Sequence, residues 1–189
     1  MILPSFRIDK TWSLFLDRDG VINKRLPGGY VKEWEAFVFL PGVLEAMKIF
    51  SGIFGKIFIV TNQQGIGKGI MTEAELTRLH DRMLEEIRYE GGFIHKIYHS
   101  PYREEEKSIF RKPNPGMAKK AKIDFPEIDF KRSIMIGDSI TDMEFGKNLG
   151  MITFLISDPV QPVTKEERES ADMVFPGLLQ VAELLTQPK

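Results

Sequence analysis

The chain has 189 residues, 42% of them hydrophobic, with 26 basic against 27 acidic side chains and a net charge of −1. This is enough for one globular domain, predicted over residues 1–189, and neither a disordered chain nor a basic nucleic-acid binder has this balance. With no cysteine, disulfides, thiol catalysis and thiolate zinc sites are excluded.

The longest stretch free of Asp, Glu, Lys and Arg runs only over residues 57–67, short of the roughly 20 residues of a membrane span. MILPSFRIDK has neither a long apolar core nor a small-residue cleavage site, so no signal peptide is expected. The expectation is a cytoplasmic protein, a monomer, with no membrane and no nucleic-acid partner.

In chain order, Ser13–Leu16 is a short apolar run that stops at a charged cluster. Gly42–Phe50 has a helical pattern, and Lys56–Val60 (KIFIV) is β-rich. Thr72–Glu90 is the clearest helix. Thr72 and Glu75 form a capping-box signature, Leu76, Leu79, Met83 and Ile87 share one face, and Gly91-Gly92 ends it. Phe93–Tyr98, Ser133–Ile136 and Met151–Ile156 read as buried strands, and Met173–Phe175 as a weaker one. Pro115–Ile123, Asp142–Leu149 and Leu178–Leu185 are shorter helices. This alternation predicts an α/β fold, a parallel sheet with helices on both faces. Such sheets bind ligands beyond the carboxyl ends of their strands.

The first strand runs into Asp17-Arg18-Asp19-Gly20-Val21. Two carboxylates two residues apart at the end of an apolar strand are costly to leave unpaired, and a divalent cation is a natural partner. One could attack an electrophile while the other moves protons; a plain Asp-Gly surface turn is the competing interpretation. The second strand ends in Thr61-Asn62-Gln63-Gln64-Gly65, either donors to an anion or an ordinary polar loop. The following GIGKG fails as a P-loop: Asn62 stands where the first glycine belongs, and Gly69 follows the lysine. After the third strand, Arg111-Lys112-Pro113-Asn114-Pro115 either aims a lysine or is a basic loop. The fourth strand ends in Gly137-Asp138-Ser139-Ile140-Thr141-Asp142. Asp138 and Asp142 are a second acidic pair, although Asp142 also suits a helix N-terminus. Asp, Thr, Lys and Asp at successive strand ends form a more specific pattern than any one of them.

In DRDGV (17–21), VTN (60–62), Lys112 and GDSITD (137–142), the chain resembles the haloacid dehalogenase (HAD) superfamily of phosphohydrolases. FLDRDGVIN, GGYV, VTNQQGIGKG and RKPNPGM resemble its branch of heptose bisphosphate and histidinol phosphatases. The resemblance implies a Rossmann-like HAD-type sheet and a phosphatase acting through an aspartyl-phosphate. Asp17 would be the nucleophile and Asp19 the general acid and base. Mg²⁺ would be held by Asp17, the carbonyl of Asp19, and Asp138. Thr61 and Lys112 would grip the phosphate, Asn62 and Arg111 would add substrate contacts, and Asp142 would support the metal shell or Lys112. The implied substrate is a small phosphorylated metabolite, a sugar bisphosphate. Histidinol phosphate, a phosphorylated nucleic-acid end and a non-catalytic phosphate-binding module are the alternatives.

Two departures from the branch stand out. Its zinc loop of three cysteines and a histidine has here only His99 as a remnant, so no zinc is expected. Tyr102, Ile109 and Phe110 are then the residues able to anchor the segment 101–110. Ser139 stands where many branch members have lysine. The stretch between the first two strands leaves no room for a large cap domain, so the site should be open, with loops at 23–32 and 101–111 as partial lids.

Overall fold

A computed structural model describes residues 7–26, 28–157 and 163–187. Its strands are β1 (Ser13–Leu16), β2 (Lys56–Asn62), β3 (Lys96–Ser100), β4 (Ser133–Gly137), β5 (Ile152–Ile156) and β6 (Met173–Phe175). The helices are α1 (Val43–Ile53), α2 (Glu73–Tyr89), α3 (Gly116–Asp124), α4 (Ile140–Asn148), α5 (Lys165–Ser170) and α6 (Leu178–Thr186). The six strands form one sheet in the order β3-β2-β1-β4-β5-β6, and every neighbouring pair is parallel.

Alternate side chains of a strand point to opposite faces. Leu14 and Leu16 therefore join one core, with Ile57, Ile59, Ile134 and Ile136, beneath α1, α2 and α6. Phe15 joins the other, with Phe58, Val60 and Met135, beneath α3 and α4. Because both faces are covered, the central strands read as continuous apolar runs rather than alternating ones.

The chain moves outward from β1 through β2 to β3, then crosses back to pair β4 with the free side of β1. That reversal opens a crevice beyond the carboxyl ends of β1 and β4, the switch point where such sheets bind ligands. The described residues between β1 and β2 contain α1, a 3₁₀ turn at Trp34–Ala36, and bridges from Asn23 to Asp19 and Phe39. No cap domain is inserted among them. Among the described residues, no helix is long and apolar enough to cross a membrane.

The register moves some boundaries. β3 begins at Lys96, not Phe93, because Lys96 is the residue that faces Phe58; Phe93 is left 47% exposed. β2 continues through Thr61 and Asn62, which pair with His99 and Ser100. α4 starts at Ile140, two residues before the expected Asp142. α5, with the sequence KEERES, was not anticipated: it has no apolar stripe and rests on a Thr164–Glu167 capping box.

Candidate active site

The ladder between β1 and β4 carries on one residue past β1, where the Asp17 N–H donates to Ile136 O at 2.9 Å. This fixes Asp17 at the switch point, its side chain almost fully buried. Lys112 Nζ reaches Asp17 Oδ1 at 2.8 Å and Asp142 Oδ1 at 2.6 Å. Buried as it is, Lys112 depends on the loop around it for its aim, and Asn62 supplies this. The Lys112 N–H donates to Asn62 Oδ1 at 3.0 Å, and Asn62 Nδ2 donates to Lys112 O at 3.2 Å.

Asp142 has two jobs. Its Oδ1 meets Lys112, while Oδ2 accepts from Ser139 Oγ at 2.6 Å and from the N–H groups of Asp138 and Ser139 at 3.2 Å. The second set caps the N-terminus of α4. Two glycines make room for the carboxylates. A Cβ on Gly137 would lie 2.1 Å from Asp142 Cβ, and one on Gly20, at φ +90°, would lie 1.8 Å from Asp138 Oδ2.

Asp17, Asp138 and Asp142 each offer a carboxylate oxygen within 4.8 Å of the others. Burial, then the charges of Asp17 and Asp142, push the Asp138 carboxyl well above the usual carboxylate range against the pull of Arg25 and Lys112. Burial likewise raises Asp17, although Lys112 opposes it. Burial alone would lower Lys112, but Asp142 and Asp17 outweigh it and raise it. Crowded carboxylates that resist ionisation call for a further cation, and an all-oxygen donor set suits a hard one such as Mg²⁺. The residues fit that ion.

Asp19 has a different setting. Arg18, 1% exposed, holds it with Nη2 at 2.9 and 2.8 Å from its two oxygens. Asn23 Nδ2 donates to Oδ1 at 2.9 Å and Gln63 Nε2 to Oδ2 at 2.8 Å. Burial would raise its pKa, yet the Arg18 charge and these bonds win, leaving it lowered. Arg18 Nη1 is also 3.1 Å from His80 Nε2 on α2. A guanidinium only donates, so this nitrogen accepts and the ring is neutral. Burial first, then the charges of Arg18 and His99, push His80 down to about 3. Sequence reasoning missed Arg18, Asn23, Gln63 and His80 as site residues. Arg18, Asn23 and Gln63 lay inside quoted motifs, but nothing local signalled that they turn inward.

Thr61 is buried beside this group, its Oγ1 accepting from Gln63 Nε2 at 3.0 Å. Arg111 donates from Nη1 to Tyr102 O at 3.2 Å and lines the opening. A cavity of about 500 Å³ lies over Asp17, Asp19, Thr61 and Lys112, with Arg25, Lys68 and Arg111 on its walls.

One expectation for the loop at 101–110 is overturned. Tyr102, Ile109 and Phe110 do not anchor it; they are 39%, 67% and 37% exposed. Backbone bonds hold it instead: Gly67 N–H to Pro101 O at 3.1 Å and Gly116 N–H to Ile109 O at 2.8 Å, with Asn114 Nδ2 to Ser108 O at 2.9 Å. The loop runs along the rim, where there is no core for these side chains to enter. His99 is engaged by Glu73, Nε2 to Oε2 at 2.8 Å.

An aspartate pair at the β1 end, a buried lysine between two carboxylates and a third acidic group from β4, on this sheet order, define a hydrolase of the HAD type. A family model described as HAD-hydrolase-like matches residues 109–181. A D-glycero-α-D-manno-heptose-1,7-bisphosphate 7-phosphatase of Campylobacter jejuni is 41% identical over 160 residues, 85% of this chain and 87% of that one. A D-glycero-β-D-manno-heptose-1,7-bisphosphate 7-phosphatase of Escherichia coli K12 is 34% identical over 173 residues, 88% of this chain and 89% of that one. The crystal structure of a D,D-heptose 1,7-bisphosphate phosphatase from B. bronchiseptica, complexed with magnesium and phosphate, superposes with a TM-score of 0.80 at 27% identity. It matches 92% of this chain and 97% of its own. The chain belongs to this heptose-bisphosphate phosphatase family of HAD-like hydrolases, and it is a phosphatase.

Proposed function

We propose that this phosphatase removes the 7-phosphate of D-glycero-D-manno-heptose 1,7-bisphosphate and requires Mg²⁺. The observation that carries the substrate is likeness to heptose-1,7-bisphosphate 7-phosphatases across more than four-fifths of the chain. The cavity agrees with a substrate bearing two phosphates: besides Lys112 at the reacting end, Arg25, Lys68 and Arg111 line it. Apart from Asp142 on α4 and His80 on α2, the site residues come from the strand ends and loops of one sheet, which supports a single catalytic domain.

Asp17 is the nucleophile. Lys112 is in contact with its Oδ1, so Oδ2 attacks phosphorus as the ester oxygen leaves, giving an aspartyl-phosphate. Asp19 protonates that oxygen, then takes a proton from the water that attacks the aspartyl-phosphate and releases inorganic phosphate. Held ionised by Arg18, Asp19 is set for the second half-reaction; the first requires the hold of Arg18 Nη2 to loosen when ester occupies the site. Thr61 and Lys112 grip the transferring phosphoryl group. Asn62 positions Lys112 through its backbone, Asp142 does so through its charge, and Arg111 contacts substrate. The carboxylates of Asp17 and Asp138 and the Asp19 carbonyl would hold Mg²⁺. Bound there, it offsets the repulsion between an anionic nucleophile and a phosphate dianion.

The relatives divide between α and β anomers, so the test assays both, with histidinol phosphate as comparator. One heptose anomer should give the highest kcat/KM, EDTA should abolish turnover and Mg²⁺ restore it, and Asp17→Asn should be inactive yet folded. A preference for histidinol phosphate would refute the substrate assignment, and an active Asp17→Asn enzyme the mechanism.

A further inference from the structure

Arg25 stands on the wall of the cavity and pairs with Asp138. It lies just past the bridge between Asn23 and Phe39, with its side chain 55% exposed. Its Nη2 is 2.7 Å from Asp138 Oδ1 and 3.5 Å from the carbonyl oxygen of Asp19. The Asp19 carbonyl and the Asp138 carboxylate are two of the groups that would hold the cation, so Arg25 stands on the metal seat. A guanidinium nitrogen and a divalent ion cannot both use them, because Mg²⁺ ligates oxygen at about 2.0–2.1 Å and two cations that close repel strongly.

The two cations buried against the site's carboxylates are not free to yield. Arg18 is buried between Asp19 and His80, and Lys112 between Asp17 and Asp142. Arg25 is the exposed member of the three, on a loop whose Gly28 takes a left-handed backbone. Its side chain can turn toward the cavity that it already lines with Lys68 and Arg111.

We propose that Arg25 is a displaceable counter-ion of the metal seat: it neutralises Asp138 until metal arrives, and metal binding turns it to the anionic far end of the substrate. This rests on Asp17, Asp19 and Asp138 being the metal site. Uptake of metal and recognition of the non-reacting phosphate are then coupled through one side chain.

Calorimetric titration of Mg²⁺ into the metal-stripped full chain, without substrate, tests the first half. Arg25→Ala should bind Mg²⁺ about two- to fivefold more tightly, the factor to which a part-exposed ion pair corresponds. In ¹⁵N spectra of the arginine Nε groups, Mg²⁺ should shift one resonance that is missing from Arg25→Ala. At saturating Mg²⁺ the variant should raise KM for the heptose bisphosphate about tenfold, as loss of a charged hydrogen bond does, with a smaller change in kcat. Equal Mg²⁺ affinity and an unmoved Arg25 resonance would overturn displacement. An unchanged KM would overturn the handover to substrate. A wild-type protein that takes up no Mg²⁺ would overturn the metal assignment and the proposal with it.

Discussion

Asp138 shows what the site costs the fold. Its carboxyl is pushed well above the usual range by burial and by Asp17 and Asp142, and Arg25 relieves this only in part. A carboxylate raised in the folded state opposes folding once the pH exceeds its unfolded value near 3.9, so at neutral pH it is a net burden. Asp138→Asn should therefore raise the melting temperature of the EDTA-treated protein at pH 7 by about 2–4 °C, the shift that roughly 1 kcal/mol brings in a chain of this size. It should also abolish Mg²⁺-dependent turnover. Differential scanning calorimetry decides: a lower melting temperature would show that Asp138 supports the metal-free fold. At this scale the candidates Asp17, Asp19, Thr61, Lys112 and Asp138 were legible because strand ends could be read. The hold of Asn62 on the Lys112 backbone was not, since its hydrogen bonds join residues 50 positions apart.

The helix α2 illustrates the elements. Its start was readable: Thr72 Oγ1 accepts from the Glu75 N–H at 3.2 Å while Glu75 Oε2 accepts from the Thr72 N–H at 2.7 Å. What its buried face does for the site was not readable, because His80 sits among Leu76, Leu79 and Met83 as one more inward position. Folded His80 stays neutral until the pH falls to about 3, whereas the unfolded chain protonates it near 6.5. The unfolded state thus binds one more proton throughout that interval, and stability falls as the pH drops through it. In His80→Gln the side-chain carbonyl can still accept from Arg18, but this titration is gone. Urea unfolding from pH 6.5 to 4 should show a slope shallower by up to about 1.4 kcal/mol per pH unit. An unaltered slope would place His80's ionisation elsewhere. Elsewhere in the chain, α5 escaped notice because a helix made of KEERES has no periodic apolar residues to read.

On the scale of the whole molecule, the rim loop lacks the thiolates of a zinc clip. The chain has no cysteine, and His99 is paired with Glu73. Backbone hydrogen bonds from Gly67 and Gly116 tie the loop at Pro101 and Ile109. Elemental analysis of the dialysed protein should find well under one zinc per chain, and chelation should leave the melting transition cooperative. Near-stoichiometric zinc would mean that a site has been overlooked. The parallel sheet, the two covered faces and the short β1–β2 connection follow from the alternation of apolar runs and helical patterns. The position of β4 beside β1 does not.

The sequence by itself determined which segments form strands and helices and which polar residues follow the strands, because periodicity, capping and strand-end chemistry act between near neighbours. Tertiary structure decided the rest. The return of β4 to β1 made one site of Asp17 and Asp138, burial turned Arg18 inward onto Asp19, and loop closure set Arg25 against Asp138 across 113 positions of chain. Those pairings depend on which groups lose water together when the two faces of the sheet close, and no local pattern records that.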